Sequence, residues 1–287
     1  MNVNSPFSHR REEPESGVLY LVGTPIGNLS DISLRAINIL KNVSLIACED
    51  TRQTRKLTNK FEIKNKLISF NKHNSILRIP KIINYLREGK SIALVSDAGM
   101  PSICDPGEDL VKNVKMNKLE TICIPGPSAA LTALISSGFP ASKFNFEGFL
   151  PKKKKEREKI LSEISKNEKT TILFESPHRL NKLLNELKDF LGGQREISVS
   201  RELTKKFEEQ INNNIDNLIE VFKSREILGE ITIVIRGLDE SNKQDFNKSH
   251  LKRELEDLIN AGLSLSAASK YLAKKKSLKR NLIYNLI

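Results

Sequence analysis

Short apolar runs alternate with helical patterns along most of this chain, and that alternation limits the fold more than any other feature. Val18–Gly23 (VLYLVG), Val43–Glu49 (VSLIACE), Lys66–Phe70, Ser91–Ser96 (SIALVS) and Leu119–Ile124 read as strands. Between them, apolar residues fall at helical spacing. Leu34, Ile37 and Leu40 form one such face, with Ser30 or Asp31 placed to cap its helix, and other helical stretches end near Gly89 and Lys118. Runs this continuously apolar suit parallel strands covered on both faces, so the first half predicts an open α/β layer.

The pattern pauses at Pro151-Lys152-Lys153-Lys154-Lys155, the sharpest change of composition and the expected domain boundary. It restarts with Thr170–Glu175 (TTILFE). Ser176 and Pro177 suit the N-cap and first position of a helix carrying Leu180, Leu183, Leu184, Leu187 and Leu191 on one face. Ile197–Leu203 and Glu230–Arg236 follow as strands. The expected organisation is a disordered arm over 1–16, an N-terminal α/β domain over 17–150 and a C-terminal α/β domain over 151–238. Residues 239–287 then form a polar linker, to about Lys248, and a basic helical tail. In that tail Leu265, Ala268, Tyr271 and Leu272 keep helical spacing, and Leu282, Ile283 and Leu286 make a second patch. No acid follows Asp257, whereas Lys270, Lys274, Lys275, Lys276, Lys279 and Arg280 do.

Those six cations equal half of the formal net charge of +12, which comes from 47 Lys and Arg against 35 Asp and Glu in 287 residues. Such a balance favours a polyanionic partner, nucleic acid above all. Two short helical patterns without an acid resemble a small helix-turn-helix-like unit that would hold RNA by its phosphates. With 38% hydrophobic residues the chain has material for real cores, which excludes a disordered or fibrous polypeptide. Cys48, Cys104 and Cys123 are odd in number and far apart, as in a reducing compartment. The four histidines show no ligand spacing, so no metal is expected. Residues 1–16 lack the apolar segment of a secretory signal. Thr121–Ser142 is uncharged but broken by Pro125, Gly126, Pro127, Gly138 and Pro140, so it reads as a loop and a buried helix rather than a membrane span. The expected location is the cytoplasm.

Three strand ends carry loops suited to a ligand. Gly23-Thr24-Pro25-Ile26-Gly27-Asn28 imitates a dinucleotide turn, yet it is G-x-x-x-G rather than G-x-G-x-x-G, and Pro25 removes an N–H that could face a phosphate. An NAD-linked oxidoreductase fails on that pattern. Ser96-Asp97-Ala98-Gly99-Met100-Pro101, followed by Asp105-Pro106-Gly107, and Pro125-Gly126-Pro127-Ser128-Ala129-Ala130 end successive strands. On a parallel sheet they open at the carboxyl edge, where ligands bind, and their small residues admit close backbone approach.

The ordered set LYLVGTPIGNLSDIS, LIACEDTR, ISFNKHN, ALVSDAGMPSICDPG, PGPSAALTALISSG, FEGFLP, LFESPHR and SRELTKKFEE closely resembles the bacterial small-subunit ribosomal RNA 2′-O-ribose cytidine methyltransferases, a branch of the tetrapyrrole (corrin/porphyrin) methylase superfamily. The resemblance runs from about Val18 to Gly237. It implies two α/β sandwich domains with S-adenosylmethionine in a cleft between them, a small helical C-terminal extension, a homodimer, and methylation of a cytidine ribose in the decoding region of 16S ribosomal RNA in the small subunit. It places cofactor contacts on Thr24 and Pro25, on Asp97, Ala98, Gly99, Met100 and Pro101, on Ser128 and Ala129, and on Phe174. The chain departs from the family at Asn71, where a histidine is usual, and at Leu228, where a basic residue is usual. The rivals are a tetrapyrrole C-methylase, for which a basic tail is unnecessary, and a non-catalytic RNA-binding or ribosome-assembly factor, against which the intact cofactor loops argue.

Methyl transfer to a hydroxyl is an in-line displacement. It is helped by positioning and by a base, the latter typically worth about 10²–10⁴-fold. Glu49, Asp50, His73, Glu175, His178 and Glu202 are the candidates. His178, in the first turn of a helix, suits structure better, and Glu202 beside Arg201 suits an ion pair. Glu49, Asp50 and His73 are favoured as catalytic residues. Arg52 is expected to hold substrate phosphate, with Lys274, Lys275, Lys276, Lys279 and Arg280 as further RNA contacts.

Overall fold

The computed structural model describes residues 13–238, 240–276, 278 and 280–287, without the side chains of 240–247 and 249. The chain divides after Ala129 into two compact units.

The first unit alternates β1 (Leu19–Val22), α1 (Leu34–Asn42), β2 (Leu45–Cys48), α2 (Thr51–Lys60), β3 (Leu67–Ser69), α3 (Ser75–Arg87), β4 (Ile92–Val95), α4 (Glu108–Met116) and β5 (Thr121–Ile124). The strands form one sheet of order β3-β2-β4-β1-β5, and every pairing is parallel. Successive side chains point to opposite faces of a strand, and here both faces are dry. Tyr20, Val22, Ile46, Cys48, Ala93 and Val95 pack with Ala36, Ile39 and Leu40 of α1 and Leu57 of α2. Leu19, Leu45, Ala47, Ile92 and Leu94 pack on the other side with Ile82, Ile83 and Leu86 of α3 and Leu110 and Val114 of α4. The continuous apolar runs are thus explained by burial on two faces.

The start of α1 differs from expectation. Ser33 is its N-cap, accepting the Ala36 N–H at 3.0 Å, while Ser30 and Asp31 sit in a short 3₁₀ turn capped by Asn28. That phase turns Leu34 outward, 79% exposed. The described part of the expected arm is also pinned: Arg35 bonds Glu13 at 2.6 Å, and Ser16 Oγ donates to Gly89 O at 2.8 Å. Residues 1–12 of that arm lie outside the described residues.

The second unit begins with α5 (Ala129–Ser137, whose first residue closes the first unit) and β6 (Phe144–Phe149). It continues with α6 (Lys154–Lys166), β7 (Thr170–Glu175), α7 (Pro177–Leu191), β8 (Glu196–Arg201), β9 (Glu209–Asn214), α8 (Ile215–Lys223) and β10 (Ile231–Ile235). The division falls before the lysine run because β6 pairs with β7 in the second sheet. That sheet has the order β6-β7-β10-β8-β9, and only β6–β7 is parallel. The five leucines expected on α7 are all buried, against Ile197 and Val199 of β8 and Ile231, Ile233 and Ile235 of β10.

Three further helices, α9 (Glu240–Asn260), α10 (Leu265–Lys276) and α11 (Arg280–Tyr284), complete the unit. The polar stretch expected as a linker is helical from Glu240 onward. Leu255, Ala268, Leu272 and Ile283 form a small core of their own, and Arg253 stacks 3.4 Å above the Phe190 ring of α7. No helix among the described residues is long and apolar enough to cross a membrane.

Candidate active site at the carboxyl edge of the first sheet

A parallel sheet places the carboxyl ends of all its strands on one edge. β1 therefore delivers Gly23–Asn28, β2 delivers Glu49 and Asp50, β3 delivers Phe70–Asn74, β4 delivers Ser96–Gly107 and β5 delivers Pro125–Ser128 to the same place. The loops are locked to one another through backbone. Thr24 N–H donates to Gly99 O at 2.9 Å, and Gly99 N–H returns a bond to Thr24 O at 3.1 Å. The buried Thr24 hydroxyl faces the carbonyls of Ser96 and Gly99. Gly99 holds φ +77°, a conformation natural to glycine. A Cβ on Gly126 would lie 2.8 Å from the Gly23 Cα, so neither loop admits a side chain there. Thr24, Pro25, Asp97 to Pro101, Ser128 and Ala129 are thus gathered on one edge of one unit. Phe174 lies in the other unit, on β7, with ring contacts to Phe146 and Phe149 at 5.1 and 5.6 Å.

Carboxylates crowd the same edge. Asp97 Oδ1 accepts the Asp50 N–H at 3.0 Å, tying the β4 loop to the β2 loop. Removal from water raises the Asp97 carboxyl above its ordinary range, and the negative charge of Asp50 adds to that. Glu49 is raised too, first by loss of hydration, then by Asp105 and Asp97, with Lys72 opposing. Asp105 is raised by burial, against a hydrogen bond from Ser96. Asp50 behaves oppositely. It caps α2 through the Arg52 N–H and accepts the Arg52 guanidinium at 2.6 Å, and these bonds hold its carboxyl down at about 2. A carboxylate so held is a poor base. Glu49 is the better proton acceptor of the pair.

His73 is exposed in the turn before α3, its N–H bonded to Asn71 Oδ1 at 3.0 Å. The Asn71 carboxamide also accepts the Asn74 N–H and donates to Ser69 Oγ, so it closes this turn. Two residues that sequence reasoning passed over belong to the cluster. Asp105 was legible only as part of a turn, Asp-Pro-Gly. Lys72 reaches the Cys104 carbonyl at 3.5 Å and faces both Glu49 and Asp105. The only signal for Lys72 was its place between Asn71 and His73.

The remaining candidates have structural partners. Glu175 is fully buried, bound by Arg179 at 2.7 Å, by the Ser176 N–H at 2.8 Å and by Arg157 at 3.5 Å. It therefore pins α6 and α7 to the end of β7. His178 occupies the first turn of α7, on the helix those bonds fix. Glu202 has a different partner from the one expected: Lys205 bonds it at 2.8 Å, while Arg201 pairs with Glu209. Burial pushes the Glu202 carboxyl up, and bonds from Lys205 and the Glu230 N–H outweigh it, leaving it below the usual range. In the tail Lys275 and Lys276 reach Glu254 of α9 at 3.5 and 2.7 Å, and Arg280 bonds Ser266. Lys274 is exposed, and Lys279 lies outside the described residues.

The family model Tetrapyrrole (Corrin/Porphyrin) Methylases matches residues 18–219, and the chain belongs to this family. Within it, the chain is 43% identical over 270 residues to the ribosomal RNA small subunit methyltransferase I of Synechocystis sp., covering 94% of this chain and 97% of that protein. Identity to the protein of that name in Bacillus subtilis is 44% over 274 residues, with 93% and 91% covered. The Thermotoga maritima protein of that name is 47% identical over 221 residues, which are 99% of its length and 77% of this chain. Among solved structures, a cobalt precorrin-4 methyltransferase of cobalamin biosynthesis superposes with a TM-score of 0.59 at 16% identity, covering 77% of this chain and 95% of that one. The uroporphyrin-III C-methyltransferase of Thermus thermophilus, complexed with S-adenosyl homocysteine, gives 0.52 at 16% identity, with 75% and 96% covered. At these identities the likeness is one of fold.

Proposed function

We propose that this protein transfers the methyl group of S-adenosylmethionine to the ribose 2′-hydroxyl of a cytidine in the decoding region of 16S ribosomal RNA. The observation that carries the reading is identity above 40%, across more than nine-tenths of both chains, to relatives named ribosomal RNA small subunit methyltransferase I. The tetrapyrrole alternative has likeness of fold alone behind it.

The residues of the carboxyl edge fit the methyl donor. Gly23 and Gly126 let the β1 and β5 loops pack backbone against backbone, with Met100 Sδ beside them, which fixes the two loops relative to each other. Asp97 is proposed to offer its second carboxylate oxygen to ribose hydroxyls while Oδ1 holds the Asp50 N–H, and Thr24, Pro25, Ala98, Gly99, Pro101, Ser128 and Ala129 supply small groups and backbone around it, with Met100 the long side chain among them. When bound, S-adenosylmethionine supplies an electrophilic methyl on a sulfonium. The chain's own part is to hold the attacking hydroxyl in line and to take its proton. Glu49 Oε accepts that proton, because its raised carboxyl is the stronger base beside the Arg52-bound Asp50. Lys72 offsets the negative charge of Glu49 and Asp105. Asp50 fixes the start of α2, and His73 stands at the rim of the same edge as a polar contact for substrate.

The protein works on the small ribosomal subunit in the cytoplasm as a homodimer. Light scattering tests the dimer: a mass near twice 32.4 kDa is expected, and a monomer at working concentration overturns it. The reaction is tested by incubating small subunits with labelled S-adenosylmethionine, which should incorporate about one methyl per subunit. Donor binding without incorporation would contradict it.

A further inference from the structure

Helix α2 leaves the catalytic edge directly after Glu49 and Asp50, and its two faces differ in kind. Thr54, Leu57 and Thr58 are buried against the sheet. Arg52, Arg55, Lys56, Asn59 and Lys60 are exposed, and four of them line one open groove with Thr51. At 3.6 residues per turn the five fall within an arc of about 140°, opposite the buried Thr54, and they span about 12 Å of helix. No acid lies on the helix. Among the described residues Arg55, Lys56 and Lys60 make no ion pair: Lys56 bonds the neutral Gln53 carboxamide, at 2.8 Å, and feels Asp50 only through its field. Arg52 spends Nε and Nη2 on Asp50, and its side chain is still 88% exposed. A row of cations this close is self-repelling, and an anion laid along it removes the repulsion.

We infer that the outer face of α2, from Arg52 to Lys60, is a rail for the phosphates of the substrate RNA strand, holding the strand's backbone as its target ribose reaches Glu49. This inference rests on the proposed RNA-methylating function and deepens it. Two observations favour α2 over the tail as the main RNA contact. Lys275 and Lys276 already pair with Glu254, whereas Arg55, Lys56 and Lys60 of α2 make no ion pair among the described residues. The Thermotoga maritima relative matches over nearly its whole length while leaving about a quarter of this chain without a counterpart, so the relatives do not all carry every segment. The rail stands within the segment matched by the family model, and the tail stands outside it.

The test is equilibrium binding of the full-length protein to small ribosomal subunits across a salt series, beside S-adenosylmethionine binding as the check on folding. Replacing Arg55, Lys56 and Lys60 together by alanine should weaken subunit binding about 10–100-fold at moderate salt. It should also make the slope of log K against log salt shallower by about 2, at about 0.7 per lost single-strand phosphate neutralisation, with donor affinity retained. The charge control removes Lys112 and Lys115 of α4, exposed on the other face of the sheet, and should change neither quantity more than twofold. Triple-variant binding within twofold of the parent overturns the rail, and so does an equal loss in the α4 control, which would mean bulk charge. Absence of subunit binding by the parent protein would overturn the RNA-methylating function, and the rail with it.

Discussion

Glu49, Asp97 and Asp105 share one property: the folded edge lifts each carboxyl above the value it has in an open chain. Native protein then binds more protons than unfolded chain between about pH 4, the unfolded carboxylate value, and the raised folded values. Stability attributable to these groups is therefore greatest below that window and falls as pH rises through it. Asp105→Asn keeps an acceptor for Ser96 and removes one charge. It should raise the melting temperature by about 1–3 °C at pH 7, with the gain vanishing near pH 4. An unchanged melting temperature at both pH values would show that the three charges do not oppose folding. The same lift underlies the proton-acceptor role proposed for Glu49. Glu49→Gln should lower kcat by about 10²–10⁴-fold with donor affinity unchanged. The parent's rate should rise with pH through the raised Glu49 value and level off, and the variant should lose that limb. Retained kcat would remove Glu49 from catalysis.

Strand ends and helix starts set where those residues meet. Gly126→Ala drives a Cβ toward Gly23 Cα and separates the β5 loop from the β1 loop. Calorimetry should record donor binding weaker by about 5–150-fold, because forcing an extra methyl into a filled contact costs about 1–3 kcal/mol. Parental affinity would show the pinch to be irrelevant. Glu175 belongs to the elements rather than to the chemistry. Glu175→Ala leaves the buried Arg157 with Glu186 alone and should cost roughly 3–5 kcal/mol in denaturant unfolding. A variant of parental stability with lost activity would return Glu175 to the candidate bases. Much of this level was legible beforehand. The five strands of the first sheet, the Pro177 start of α7 with its leucine face, and the loops at the carboxyl edge all follow from local pattern. What escaped has physical reasons. β9 (EQINNN) is a polar edge strand and β6 (FNFEGF) is broken by polar residues, with a register shift between Phe146 and Gly148, so neither shows an apolar run. α9 begins in polar sequence that lacks an apolar stripe, which looks like a linker until Arg253 is seen on Phe190. Pairings such as Asp97 with the Asp50 amide join residues 47 apart, and no local pattern encodes them.

For the molecule as a whole, a net charge of +12 points to a polyanion, and the structure distributes that charge unevenly. Part of the tail's charge is consumed within the tail, and α2, beside the carboxylate-rich edge, presents Arg55, Lys56 and Lys60 without an ion pair among the described residues. The family and the gathered loops were legible from ordered motifs, whereas the division of labour among Glu49, Asp50 and Asp105 needed the fold. Each unit has a core of its own, and the first carries the carboxylates together with most of the loops proposed to hold the donor. The decisive measurement is the position of the methyl group. Small subunits lacking the modification would be treated with this protein and S-adenosylmethionine, and the 16S RNA digested and mapped by mass spectrometry. One 2′-O-methylcytidine in the decoding region is the result predicted. A methyl on a base, on another nucleotide, or on no RNA at all while the donor still binds would contradict it.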